Sequence, residues 1–152
     1  MSDSFWALLE SGDFDEVECL VPDINGLAKG KTVPVSHIRD NSVRIPEGIF
    51  GQDILGAWCE DYDLIDVADV DVAITPVTST LAMPPWGDEK TSQCIFDVQL
   101  PDGKSSNIAP RQLLQRVLAL YEEMGLEVAV AQEAEFYLVD PNPDPNTPLQ
   151  PA

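Results

Sequence analysis

Glu133 and Glu135 stand two positions apart in the stretch Ala-Gln-Glu-Ala-Glu-Phe-Tyr-Leu-Val-Asp, residues 131–140, where most neighbours are apolar or aromatic. On a β-strand, residues i and i+2 project from the same face, with Cα atoms roughly 6 to 7 Å apart. Two carboxylates at about 6 Å repel by on the order of 3 kcal/mol at an effective dielectric near 20, and by less than about 1 kcal/mol in open water. Solvent, basic neighbours or a bound divalent cation would each offset that repulsion. Solvent is the ordinary remedy on a half-exposed strand. The cation gains from Ala129 and Ala131 before the pair and Tyr137 after it, a flank that suits a lined cavity. Carboxylate oxygens are hard donors, matched to Mg2+ or Mn2+. A glycosidase-like acid and base is a less natural reading, because this spacing does not put the two groups on opposite sides of a bond.

The elements that must position the pair follow from pattern. Ser-Asp-Ser-Phe-Trp-Ala-Leu-Leu-Glu-Ser-Gly opens the chain as a short helix, with a cap at Ser2 or Ser4 and a stop at Gly12. Residues 16–38 read as two extended runs around Asn25-Gly26 and Gly30, a hairpin signal whose glycines supply positive φ. Glycines 48, 51 and 56 break the apolar run at 43–63 into an irregular loop. Asp-Val-Asp-Val-Ala-Ile-Thr-Pro-Val and Thr-Ser-Gln-Cys-Ile-Phe-Asp-Val-Gln-Leu are strands separated by a turn around Trp86. Pro110 opens an amphipathic helix in which Leu113, Val117, Leu120 and Met124 share a face, and Gly125 ends it. The segment 127–140 follows as a strand, with Val128, Val130, Phe136 and Leu138 on its core face and both Glu residues on the other. A tail with five prolines in twelve residues then excludes helix and central strand. The fold class is α+β, a strand-rich unit followed by a helix and the first strand of a second unit, and the chain reads as truncated.

Composition narrows the function. With 27 acidic against 8 basic residues the formal charge is −19, which repels phosphate backbones and anionic lipid, so neither nucleic acid nor membrane is an expected partner. Cys19, Cys59 and Cys94 are odd in number, far apart and without a Cys-x-x-Cys pair, which suggests reduced structural thiols and a cytoplasmic location. The acidic N-terminus lacks the basic region of an export signal. His37, the sole histidine, has no partner nearby in sequence. Trp58 and Trp86 are packing residues or pocket walls, and Lys29 and Lys31 are exposed turn lysines or phosphate contacts.

Taken in order, Asp-Ile-Asn-Gly-Leu-Ala-Lys-Gly-Lys-Thr-Val-Pro-Val-Ser-His-Ile, Gly-Ile-Phe-Gly-Gln-Asp-Ile-Leu-Gly-Ala-Trp-Cys-Glu-Asp, the helix from Pro110 and Glu-Ala-Glu-Phe-Tyr-Leu-Val-Asp resemble the glutamine synthetase family over essentially the whole chain. The resemblance implies a β-grasp-like N-terminal domain at 1–108 and the start of the catalytic domain at 109–152. It implies that Glu133 and Glu135 each serve one of two divalent cations, Mg2+ or Mn2+, beside ATP. It further implies a homo-oligomeric ring, a dodecamer, whose active sites lie between one subunit's catalytic domain and its neighbour's N-terminal domain. The reaction implied is formation of a γ-glutamyl amide through γ-glutamyl phosphate.

The nucleophile turns on the loop Ile-Phe-Gly-Gln-Asp-Ile-Leu-Gly-Ala-Trp. Ammonia-using members carry Phe-Asp-Gly-Ser-Ser there; with Phe50 and Trp58 matched, Gly51 takes the place of that Asp and the nearest carboxylate is Asp53. Asp-Ile-Leu-Gly is more similar to the γ-glutamylputrescine or γ-glutamylpolyamine synthetase branch. An alkylammonium substrate needs a carboxylate to neutralise it and a base to deprotonate it. Asp53 is one candidate, and Asp71, which matches a family Asp near the ammonium pocket, is the other. The alternatives are that Asp53 only closes a turn and Asp71 is a solvated strand end. Ile54 and Leu55 would wall the methylenes, or are ordinary core. Glutamine synthesis with ammonia, and a non-catalytic binding domain of the same fold, remain open.

Overall fold

The structure, a computed structural model, describes residues 3–11, 13–40, 42–58, 68–86 and 90–152. Every second residue of β1 (Glu16–Pro22) is apolar, and Val17, Cys19 and Val21 are all buried. The same alternation in β5 (Thr91–Gln99) buries Cys94, Phe96 and Val98. These two strands run parallel at the centre of one five-stranded sheet. Around them β2 (Ala28–Pro34), β3 (Arg44–Pro46) and β4 (Asp71–Pro76) pair antiparallel, in the order β2-β1-β5-β4-β3. Phe5 and Leu9, one turn apart on α1 (Asp3–Glu10), join Phe14, Ile38 and Phe50 in the core cluster. Each such side chain withdrawn from water stabilises the fold by about 1.5 to 3 kcal/mol, which explains why the hydrophobic centre sits against this face.

The hairpin forms as expected, but its second extended run stops at Pro34, and Val35–Arg39 is a short helix, α2. The β1–β2 ladder ends where Glu16 faces Pro34, and the Val35 amide donates to the Asp15 carbonyl; one helical turn then buries Ile38. Within the irregular loop, Glu47–Gly51 form a 3-10 helix whose Phe50 is buried. Ser2, Gly12, Cys59 and Gly87, to which the sequence assigns a cap, a stop, a thiol and a turn, lie outside the described residues. Among the described residues no helix is long and apolar enough to cross a membrane.

Cys19 and Cys94 are far apart in sequence yet face each other across the β1–β5 register. Both are free and buried. Burial, with a smaller push from Cys94, drives the Cys19 thiol up to about 12, so these are unreactive core thiols.

The helix expected from Pro110 is present as α3 (Pro110–Glu123), closed by Gly125 at φ +71. Its attachment differs from the expectation. Gln112, not the apolar stripe, is buried, donating to the Val98 carbonyl at 2.6 Å and accepting from the Ser106 amide at 3.2 Å. Arg111 pairs with Asp97 at 2.8 Å. Leu113, Val117, Leu120 and Met124 are exposed.

The strand expected at 127–140 is not formed. Residues 126–138 have no strand pairing, and only Val139 bridges, to Pro151. Val128, Val130, Phe136 and Leu138, expected to face a core, are exposed. A strand exists only by exchanging hydrogen bonds with a neighbour, and among the described residues only 150–152 do so, with the very end of this segment at 138–140.

Gly30 marks the tightest point of the hairpin. It holds φ +146, and a Cβ there would sit 1.8 Å from the Cys19 carbonyl oxygen. Gly30→Ala should therefore lower stability by more than about 2 kcal/mol, measured as a lower urea midpoint, because backbone rather than a flexible side chain must yield.

Candidate functional site

Two turns built on the shared pattern Asp-Ile-x-Gly stand at the end of the sheet. Asp23-Ile-Asn-Gly-Leu27 connects β1 to β2, and Asp53-Ile-Leu-Gly-Ala57 follows the 3-10 helix. In the first, the Asp23 amide donates to the Leu27 carbonyl and the Gly26 amide to the Asp23 carbonyl, while Asp23 Oδ1 accepts from the Asn25 and Leu27 amides, each at 2.9 Å. In the second, the Asp53 amide donates to the Ala57 carbonyl and the Gly56 amide to the Asp53 carbonyl, while Asp53 Oδ1 accepts from the Leu55 and Ala57 amides at 2.8 and 2.9 Å. Gly26 and Gly56 supply φ of +78 and +82, a region closed to most side chains. The sequence shows the echo, Asp-Ile-x-Gly twice, but only the shared hydrogen-bond pattern gives it meaning.

The surroundings of the two carboxylates differ. Asp23 is 4% exposed, and its Oδ2 lies 3.1 Å from the Lys29 ammonium. Burial alone would push this carboxyl up, but the Leu27 amide, Lys29 and Asn25 together outweigh it and hold the group below the usual carboxylate range. Asp53 is exposed and has no ion pair among the described residues. Asp53 Oδ1 closes the turn, and among the described residues no hydrogen bond or ion pair engages Oδ2. Ile54 and Leu55 are 80% and 89% exposed, so they are not core.

The foot of this loop is anchored at several points. Gln52 bridges Trp58, and the Trp58 ring lies against Gly48, where an added Cβ would come within 2.1 Å of it. The Gly48 amide donates to Asp69 Oδ1 at 2.9 Å, and Asp69 itself is at φ +46. Sequence reasoning missed Asp69, because nothing in Ala-Asp-Val-Asp-Val singles out one aspartate. Asp71 is exposed at the start of β4, opposite Pro46 and thus beside the residue that leads into the 3-10 helix. Lys29, expected to be an exposed turn lysine, is instead committed to Asp23. His37 is exposed, as is Trp86.

Glu133 and Glu135 are exposed, and no hydrogen bond or ion pair among the described residues ties them to Asp53 or Asp71. Their oxygens fit a hard divalent cation, but two carboxylates are fewer than the six or so ligands such a cation takes. No group of three or more His, Cys, Asp or Glu suited to a metal occurs among the described residues.

Residues 107–152 match the family model of the glutamine synthetase catalytic domain. The glutamate–isopropylamine ligase of Pseudomonas sp is 29% identical over 87% of this chain and 30% of its own length. The γ-glutamylputrescine synthetase PuuA of Escherichia coli K12 is 32% identical over 89% of this chain and 29% of its own. The chain belongs to the glutamine synthetase family. It spans about 30% of the length of these curated relatives. A solved structure, a GmaS/ADP complex, superposes with a TM-score of 0.61 over 82% of this chain and 26% of its own, at 24% identity, and shares the fold. The mixed α and β fold shared with that structure is the setting of both Asp-Ile-x-Gly turns.

The depressed Asp23 carboxyl has a testable sign. Its stabilising contribution is complete above the unfolded value of about 3.9 and is lost as pH falls through the lowered folded value. Asp23→Asn should cost about 1 to 3 kcal/mol between pH 5 and 7. The gap in urea midpoint between the two proteins should narrow below pH 4.

Proposed function

We propose that the whole protein is an ATP-dependent glutamate–amine ligase that makes a γ-glutamyl amide through γ-glutamyl phosphate, with putrescine or another polyamine as nucleophile. One observation carries the choice of amine: Asp53 is an exposed carboxylate with no cation partner among the described residues, flanked by exposed Ile54 and Leu55. A charge beside two aliphatic side chains matches an alkylammonium, whose head needs neutralising and whose methylenes leave water on contact. The names of the two relatives, an isopropylamine ligase and a γ-glutamylputrescine synthetase, support the same class.

In this scheme Asp53 holds the ammonium head through the oxygen that the turn does not use, and Asp71 is the second carboxylate toward the amine. Glu133 and Glu135 contribute oxygens to two divalent cations, Mg2+ or Mn2+, which when bound spread the negative charge of ATP and glutamate. Residues 1–108 form a β-grasp-like domain and 109–152 the start of the catalytic domain. The parallel central pair β1–β5 supports the first assignment, and the family match beginning at 107 supports the second. The protein works in the cytoplasm as a homo-oligomeric ring, a dodecamer, in which the Asp53 loop of one subunit meets the catalytic domain of the next.

Phosphate release by the whole protein with ATP, glutamate and each of putrescine, a longer polyamine and ammonia tests the assignment. Turnover with the alkyl amines is expected; turnover with ammonia alone overturns the amine class, and none with any nucleophile leaves a non-catalytic domain. Asp53→Asn keeps an oxygen for the turn and removes the charge, so the amine KM should rise by about tenfold or more. Glu133→Gln and Glu135→Gln should each weaken Mn2+ binding in a direct titration. The 152-residue chain alone should release no phosphate, and measurable turnover by it would refute the division of the site.

A further inference from the structure

The Lys29 ammonium has three donors, and three groups from two segments surround it. It lies 3.1 Å from Asp23 Oδ2 in the first turn, 2.6 Å from Gln52 Oε1 and 3.4 Å from the Ile49 carbonyl in the 3-10 helix. Gln52 immediately precedes Asp53. It is held from a second direction as well, since Asn25 Nδ2 donates both to the Gln52 carbonyl and to Asp23 Oδ2, each at 3.4 Å. The first Asp-Ile-x-Gly turn thus grips the root of the second. A buried carboxylate orients a lysine, and the lysine orients the residue from which the exposed carboxylate departs.

We infer that Lys29 is a positioning residue for amine recognition: paired with buried Asp23, it fixes Gln52 and so sets where Asp53 presents its free oxygen. This rests on the assignment of Asp53 to the amine. The geometry favours positioning over direct contact, because every Lys29 donor is already engaged within the chain and the side chain is only 23% exposed. The 52–58 loop is short and closed on itself through the Gln52–Trp58 bridge and the Asp53–Ala57 hydrogen bonds, with the Trp58 ring resting on Gly48 at its foot. Displacing Gln52 would therefore move the Asp53 turn as a unit.

The test compares Lys29→Met, Lys29→Arg, Gln52→Ala and Asp53→Asn in the whole protein, with KM measured separately for putrescine, glutamate and ATP. Lys29→Met should raise the putrescine KM by about tenfold while the glutamate and ATP values stay within about twofold, and Lys29→Arg should recover part of the loss. A merely structural lysine would lower the amount of active protein without moving one KM alone. Gln52→Ala breaks the 2.6 Å contact and leaves the Asp23–Lys29 pair intact, so it carries the test if Lys29→Met fails to fold. A normal putrescine KM in both Gln52→Ala and any folded Lys29→Met, alongside a raised one in Asp53→Asn, overturns the positioning role and spares Asp53. An unchanged putrescine KM in Asp53→Asn overturns both. Amide exchange in the 152-residue chain gives a readout free of catalysis: protection of the Gly56 and Ala57 amides should fall in Lys29→Met, and unchanged protection speaks against the clamp.

Discussion

The parallel pairing of β1 with β5 is the constraint on which the other elements depend. Glu16 faces Thr91 and Cys19 faces Cys94, so segments far apart in sequence become neighbours at the centre of the sheet. Because β1 carries the hairpin and β5 carries β4 and β3, this one ladder brings the two Asp-Ile-x-Gly turns to a common end. Its side chains also pack tightest, with Val17, Cys19, Cys94 and Phe96 fully or almost fully buried. Parallel strands cannot be joined by a tight turn, and the long connection between β1 and β5 is where the candidate amine loop resides.

Two copies of one local design serve opposite ends through burial. Asp23 and Asp53 close their turns by the same hydrogen bonds, yet Asp23 is enclosed and matched to Lys29 while Asp53 is left to solvent. A buried carboxylate must be paired, so Asp23 became structural. An exposed one can exchange water for a ligand cation at modest cost. The distinction lies in what surrounds the turn, since the residues that build it are nearly the same.

Much was legible in advance because it rests on local chemistry. The alternation in β1, β4 and β5, the Pro110 start and Gly125 stop of α3, and the hairpin glycines are written in neighbouring residues, and each element formed where the pattern put it. The errors share a cause. The segment 127–140 has strand chemistry, and the α3 stripe has core spacing, but pairing and burial need a second surface that the described residues do not provide. Lys29 was misjudged for the converse reason: its partners Gln52 and Ile49 come from a loop more than twenty residues away, which no turn pattern reveals.

The order of residues by itself determined which groups are on offer: two carboxylates spaced i and i+2 at Glu133 and Glu135, a carboxylate next to aliphatic side chains at Asp53, and a charge of −19 that disfavours nucleic acid. Residue type and short spacing determine donor hardness, charge and turn geometry without reference to distant groups. Folding settled which carboxylate is sealed and which is exposed, which cysteines face each other across the sheet and which lysine is spoken for. Those outcomes depend on desolvation and on contacts across the sheet, and both arise only when segments remote in sequence are brought together.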